Sequence, residues 1–141
     1  MFDAYQGLII VYLERGRDVK RAKRALALAR LHLVRRSKSH RRQAEATYDY
    51  YDGWISYQQG HIKAAYEKLE QSLRQWQAPK MHYRLGIVCL ARAQAPKTSA
   101  AQKAHWLGRA RDHCASALAI DLRGAFVDRV AALEDQIAKA A

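Results

Sequence analysis

The 141-residue chain has little of what marks many other protein classes. Two cysteines cannot build a disulfide framework, so a reducing cytoplasm is the expected compartment. Two prolines, seven glycines and few β-branched residues leave little to interrupt helices and little to build sheets. The longest purely apolar run, residues 8–13, is far short of a bilayer crossing, so no membrane span is expected. Asp3 stands where a secretory signal would be basic, and no small-residue cleavage site follows an apolar stretch, so no such signal is expected. Acidic residues are also few: 13 against 25 Lys and Arg, for a net charge of +12.

Half of the chain is apolar, much of it alanine, which is the composition of a packed all-α protein. Its length suits one domain, here 1–141. The positive charge is concentrated. Residues 14–42 hold twelve Lys and Arg against Glu14 and Asp18, a balance of +10, while the other 112 residues carry only +2. A nearly neutral helical protein therefore bears one strongly basic segment.

Periodicity and capping signals predict seven helices. The first spans about residues 2–15 and ends at Gly16. It is apolar nearly all round (Leu8, Ile9, Ile10, Val11, Leu13), so it must be covered on more than one side, by its own domain or by a second copy. Asp18 caps a second helix over about 19–36, whose buried stripe is Val19, Ala22, Leu26, Ala29 and Leu33. Ser39 can cap a third, about 41–59, before Gly60; a fourth covers about 62–75. Pro79 opens a fifth that runs to about residue 93, since a missing N–H costs nothing in the first turn. Thr98 or Ser99 caps a sixth to about residue 121. After Gly124 a last helix carries Phe126, Val130, Leu133 and Ile137 on one stripe.

Gly53 and Gly86 lie 33 residues apart, a period of stacked helical hairpins that bury a shared core. Leu85-Gly86 and Cys89, followed by Ala110, Cys114 and Ala117, form one small-residue pattern across two helices. Gly53, Ser56, Gly60, Ala65, Leu69 and Ser72 form another, and Gly7 with Ala22, Leu26 and Ala29 a degenerate third. With these residues the chain resembles the tetratricopeptide-repeat proteins over roughly residues 2–121. The resemblance implies a short right-handed solenoid of three helix-turn-helix hairpins, about 2–36, 40–76 and 79–121, with a capping helix over about 124–140. Asp49 and Asp52 occupy positions which that family keeps apolar. A one-residue slip, with Tyr48, Tyr51 and Ile55 inward, is the alternative register.

The resemblance also implies a concave groove lined by the first helix of each hairpin. Its residues here are Tyr50, Trp54 and Tyr57, then Tyr83 and Ile87, an aromatic floor for a peptide or helix of a protein partner. Rings at helical spacing equally suit a core. The basic patch, Lys20, Arg21, Lys23, Arg24, Arg35, Arg36, Lys38, Arg41 and Arg42, is open to three readings: a solvated face, an attraction for an acidic protein, or a footprint for nucleic acid or another polyanion. Catalysis has little support. None of the six histidines pairs with another at i+3 or i+4, His113 and Cys114 diverge on a helix, and no phosphate loop occurs, so no catalytic, cofactor or metal residue is expected. Cys89 and Cys114 read as small buried residues facing each other across one hairpin. The expected function is a non-catalytic scaffold or adaptor. Docking on a polyanion is the alternative, and regulation or dimerisation within a longer chain, through the apolar first helix, is a further one.

Overall fold

The computed structural model describes residues 2–32 and 38–141. Among these residues there are seven α-helices and no strand: α1 (Phe2–Glu14), α2 (Val19–Leu31), α3 (Lys38–Gln58), α4 (Ile62–Gln75), α5 (Pro79–Ala93), α6 (Ala100–Ile120) and α7 (Val127–Ala140). The chain divides into two compact units, Met1–Trp76 and Gln77–Ala141.

Several helix ends follow directly from capping chemistry. The Asp18 carboxylate accepts from the Arg21 N–H at 3.0 Å and opens α2. Ser99 and Gln102 form a reciprocal capping box at the start of α6, the Ser99 Oγ accepting from the Gln102 N–H at 3.1 Å and the Gln102 Oε1 accepting from the Ser99 N–H at 3.0 Å. Pro79 sits in the first turn of α5. Three boundaries differ from expectation. Helix α3 begins at Lys38, so Ser39 lies inside it rather than capping it. Helix α2 ends at Leu31, with His32 as its C-cap, short of the expected end near residue 36. Helix α7 begins only at Val127, because the Asp121 carboxylate holds the N–H groups of Ala125 and Phe126 at 3.1 and 2.8 Å in a turn. Phe126 is thus a cap residue, while Val130, Leu133 and Ile137 make the buried stripe. Leu33, expected on the α2 stripe, lies outside the described residues.

In the first unit α1 packs on α2, α2 on α3 and α3 on α4. Because α3 is covered by two helices, more than one of its faces is inward. Tyr48, Tyr51 and Ile55 are buried, and so are Tyr50 and Trp54, so neither of the two expected registers describes α3 alone. Gly53 lets α3 approach α4 closely: a Cβ there would stand 2.7 Å from the Leu69 Cγ and 3.3 Å from the Ala65 carbonyl oxygen. The Ser72 hydroxyl donates to the Ala46 carbonyl, and the Gln58 amide donates to the Leu13 carbonyl at 2.9 Å, tying the far end of α3 to α1.

Asp49 and Asp52, out of place for an apolar stripe, belong to a polar seam. Arg30 of α2 reaches Asp49 at 3.4 Å and Asp52 at 3.7 Å, and Lys68 of α4 bonds Asp52 at 3.2 Å and the Ser56 hydroxyl at 3.0 Å. Three helices are thereby cross-linked through one row of charges. Burial nonetheless raises the Asp49 pKa, despite the lowering pull of the Arg30 guanidinium.

In the second unit α5 packs on α6, and α7 covers both. Gly86 faces α6, with the Ala110 carbonyl oxygen 3.6 Å and the Cys114 Sγ 3.7 Å from where its Cβ would stand. The tightest neighbour is a third party: the Leu133 Cδ2 of α7, at 2.9 Å. Cys89 and Cys114 are both free thiols and both buried. Burial, aided by the Glu134 carboxylate, pushes the Cys114 thiol up to about 11, so it is held protonated and inert at neutral pH.

Candidate functional site

The five residues expected to line a groove have three fates. Tyr50 and Trp54 are core residues, each only 4% exposed, which corrects the expectation of a partly exposed aromatic floor. With Tyr51 they form a cluster: Tyr50 meets Trp54 edge-on at 6.0 Å between ring centroids, and Tyr51 stacks on Trp54 at 6.4 Å. The physical reason is the double cover of α3 by α2 and α4, which leaves the Tyr50–Trp54 stripe no face to solvent. Tyr57, one turn further on, is half-buried.

Tyr83 and Ile87 are also half-buried, and in the second unit they do line a recess. Helix α7 returns beside α5 and closes a cleft of about 460 Å³, floored by Tyr83, Ile87 and Leu133 and rimmed by Asp128, Arg129 and Gln136. One end is built by rings: Tyr83 and Phe126 lie 5.7 Å apart, and the Arg129 guanidinium stands 5.4 Å above the Phe126 ring. The sequence places Leu133 on the stripe of a last helix and assigns nothing to Gln136. Their place in the cleft depends on how α7 turns back, which residue spacing within α7 does not reveal.

The basic patch is only partly described. Lys20, Arg21, Lys23 and Arg24 are exposed on α2, Arg42 is exposed and Arg41 half-buried on α3. Arg35 and Arg36, and the side chain of Lys38, lie outside the described residues. Arg21 is paired with Asp18 at 3.3 Å. Between α1 and α2 runs a second recess, of about 270 Å³, in which Arg21 and Arg24 stand beside Tyr5, Leu8, Tyr12 and Leu28.

One constellation joins two helices. His82 of α5 and His113 of α6, 31 residues apart, are both buried with their Nδ1 atoms 3.0 Å from each other. At that distance one Nδ1 donates and the other accepts, so the two rings take different tautomers. Intrahelical i+3 and i+4 spacing cannot detect a contact made across a hairpin. No group of three or more His, Cys, Asp or Glu is placed to hold a metal ion among the described residues.

No helix among the described residues is long and apolar enough to cross a membrane. Comparison with known proteins finds no family model, curated protein or solved structure that matches the chain.

Proposed function

We propose that this chain is a non-catalytic interaction module of stacked helical hairpins, of the kind the tetratricopeptide resemblance implies, and that the cleft between α5 and α7 seats a segment of a protein partner. The observation that carries this reading is the cleft itself: Tyr83 and Ile87 stay half-buried opposite Leu133, with a rim that offers one acid, one base and one amide. An apolar floor with a mixed polar rim suits a helical or extended peptide, whose side chains fill the floor while its polar groups meet the rim. Segments selected from a displayed peptide library against the wild type should lose binding to an Ile87→Glu variant that melts at the parent temperature. Failure to enrich any segment, or enriched segments indifferent to Ile87→Glu, would count against the module reading.

The exposed quartet Lys20, Arg21, Lys23 and Arg24 favours a second reading, docking on nucleic acid or another polyanion. Its signature is affinity for nucleic acid that falls by orders of magnitude between low and moderate salt and is lost on charge reversal of the quartet. A salt series with duplex and single-stranded probes separates it from the cleft, whose apolar floor is nearly indifferent to salt.

A further inference from the structure

The hairpin of α1 and α2 leaves more apolar surface in water than its own core requires. Ile9 and Leu13 fill the inward face of α1, and Ala22, Ala25, Leu26 and Ala29 that of α2. Yet Leu8 and Val11 remain 44% and 46% exposed on α1, and Leu28 and Leu31 42% and 72% exposed on α2. Each of these pairs is spaced i, i+3, so each makes a short ridge on one face of its helix. Between the two helices lies the recess of Tyr5, Leu8, Tyr12, Arg21, Arg24 and Leu28. Tyr5 is held at one end by His32, its ring stacked at 5.6 Å and its hydroxyl 3.4 Å from the imidazole Nε2. From Arg21 to Leu28 the recess runs about two helical turns, roughly 10 Å at 1.5 Å per residue.

Charge decides what fits there. Lys20, Arg21, Lys23 and Arg24 crowd one turn of α2, Arg21 is partly neutralised by Asp18, and Arg24 is paired with no carboxylate among the described side chains. A second copy laid on this face would bring the same cations against one another, which opposes self-association. A flat bilayer would not fill a recess between two helices, whereas a ridge of side chains on a helix would.

We propose that this recess is a docking surface for an amphipathic helix of a partner protein, whose apolar ridge enters between Leu8 and Leu28 and whose acidic flank meets Arg21 and Arg24. It is a surface separate from the α5–α7 cleft and does not depend on it. The recess supplies burial, and the arginines supply orientation and a faster encounter.

The test uses the full chain and a fluorescent synthetic peptide of about four helical turns, with leucines at i, i+3, i+4 and i+7 flanked by glutamates, against a scrambled peptide of the same composition. Fluorescence anisotropy should show binding to the amphipathic peptide at least about tenfold tighter than to the scramble. Arg24→Glu and Leu28→Glu, both at exposed positions, should each weaken it by about tenfold or more at an unchanged melting temperature. Ile87→Glu should leave it unaltered, so a failed cleft and a failed recess are told apart. Equal affinity for the scramble reduces the effect to charge alone and overturns the proposal. So does the absence of binding, or affinity unchanged in Arg24→Glu. Sedimentation showing a dimer that Leu28→Glu dissociates would assign the recess to a second copy instead. Tighter association with phosphatidylserine vesicles than with the peptide, lost in Leu28→Glu, would assign it to a membrane surface.

Discussion

Two glycines carry the same spacing signal and different physical weight. At Gly53 an added Cβ would collide with the Leu69 Cγ, a branch point, and with the Ala65 backbone oxygen, neither of which can turn aside. Gly53→Ala gains about 1 kcal/mol of helix propensity and loses about 1–3 kcal/mol to overpacking, so a net loss is expected. At Gly86 the closest atom is the Leu133 Cδ2, the movable end of a side chain, so Gly86→Ala should be nearly neutral and Gly86→Leu costly by several kcal/mol. Urea titration of the alanine variants should rank Gly53→Ala as the more damaging; the reverse order contradicts the packing described. Asp49 gives a pH prediction. Its pKa is raised above 3.8 by burial, so the folded state holds the proton more tightly than the unfolded one. The stability this group contributes is complete below about 3.8 and lost as pH rises through the higher folded value. Asp49→Asn removes that loss, and Arg30 keeps Asp52 at 3.7 Å as a partner. The variant should therefore melt no lower than the parent at neutral pH, and its relative advantage should shrink as pH falls below 3.8. Melting curves across that range decide it; an advantage that grows in acid would refute the assignment.

Helix α3 shows how far one element can be read without its neighbours. Its existence and its approximate length were legible, because the run before Gly60 holds helix formers and no proline. Which stripe faces inward was not, because the answer depends on two helices, α2 and α4, closing on it together. Tyr50 and Trp54 were assigned to a groove for that reason, and Asp49 and Asp52 looked misplaced until Arg30 and Lys68 arrived from other helices. Helix α5 behaved otherwise: Tyr83 and Ile87 line a recess, though the wall opposite them is α7, whose return no periodicity announces. The contact of His82 with His113 was hidden in the same way, since it exists only once α5 and α6 are antiparallel neighbours. The element-scale prediction concerns Trp54. As the centre of a ring cluster with 4% of its surface exposed, it should cost about 3–5 kcal/mol on replacement by alanine. Tyr57→Ala, at a half-buried position, should cost much less. Chemical denaturation of the two variants is the check, and equal losses would contradict the placement of Trp54.

At the scale of the whole molecule, each compact unit owns the contacts that define it. Residues 77–141 contain a capping box, a proline-started helix, the Gly86 approach and the His82–His113 contact. That segment expressed alone should melt cooperatively and keep Cys114 slow to label at neutral pH, as its buried, protonated thiol requires. A fragment that labels at the rate of an unfolded peptide would show that its core is not self-sufficient. Packing in both units follows chain order: α1 with α2, α2 with α3, α3 with α4, then α5 with α6, α6 with α7 and α5 with α7. No helix in these pairings waits for one more than two places later. On a ribosome, where the chain emerges at about 5–20 residues per second, each new helix would find its partner already outside the exit tunnel. The first unit could finish folding while the second is still being translated.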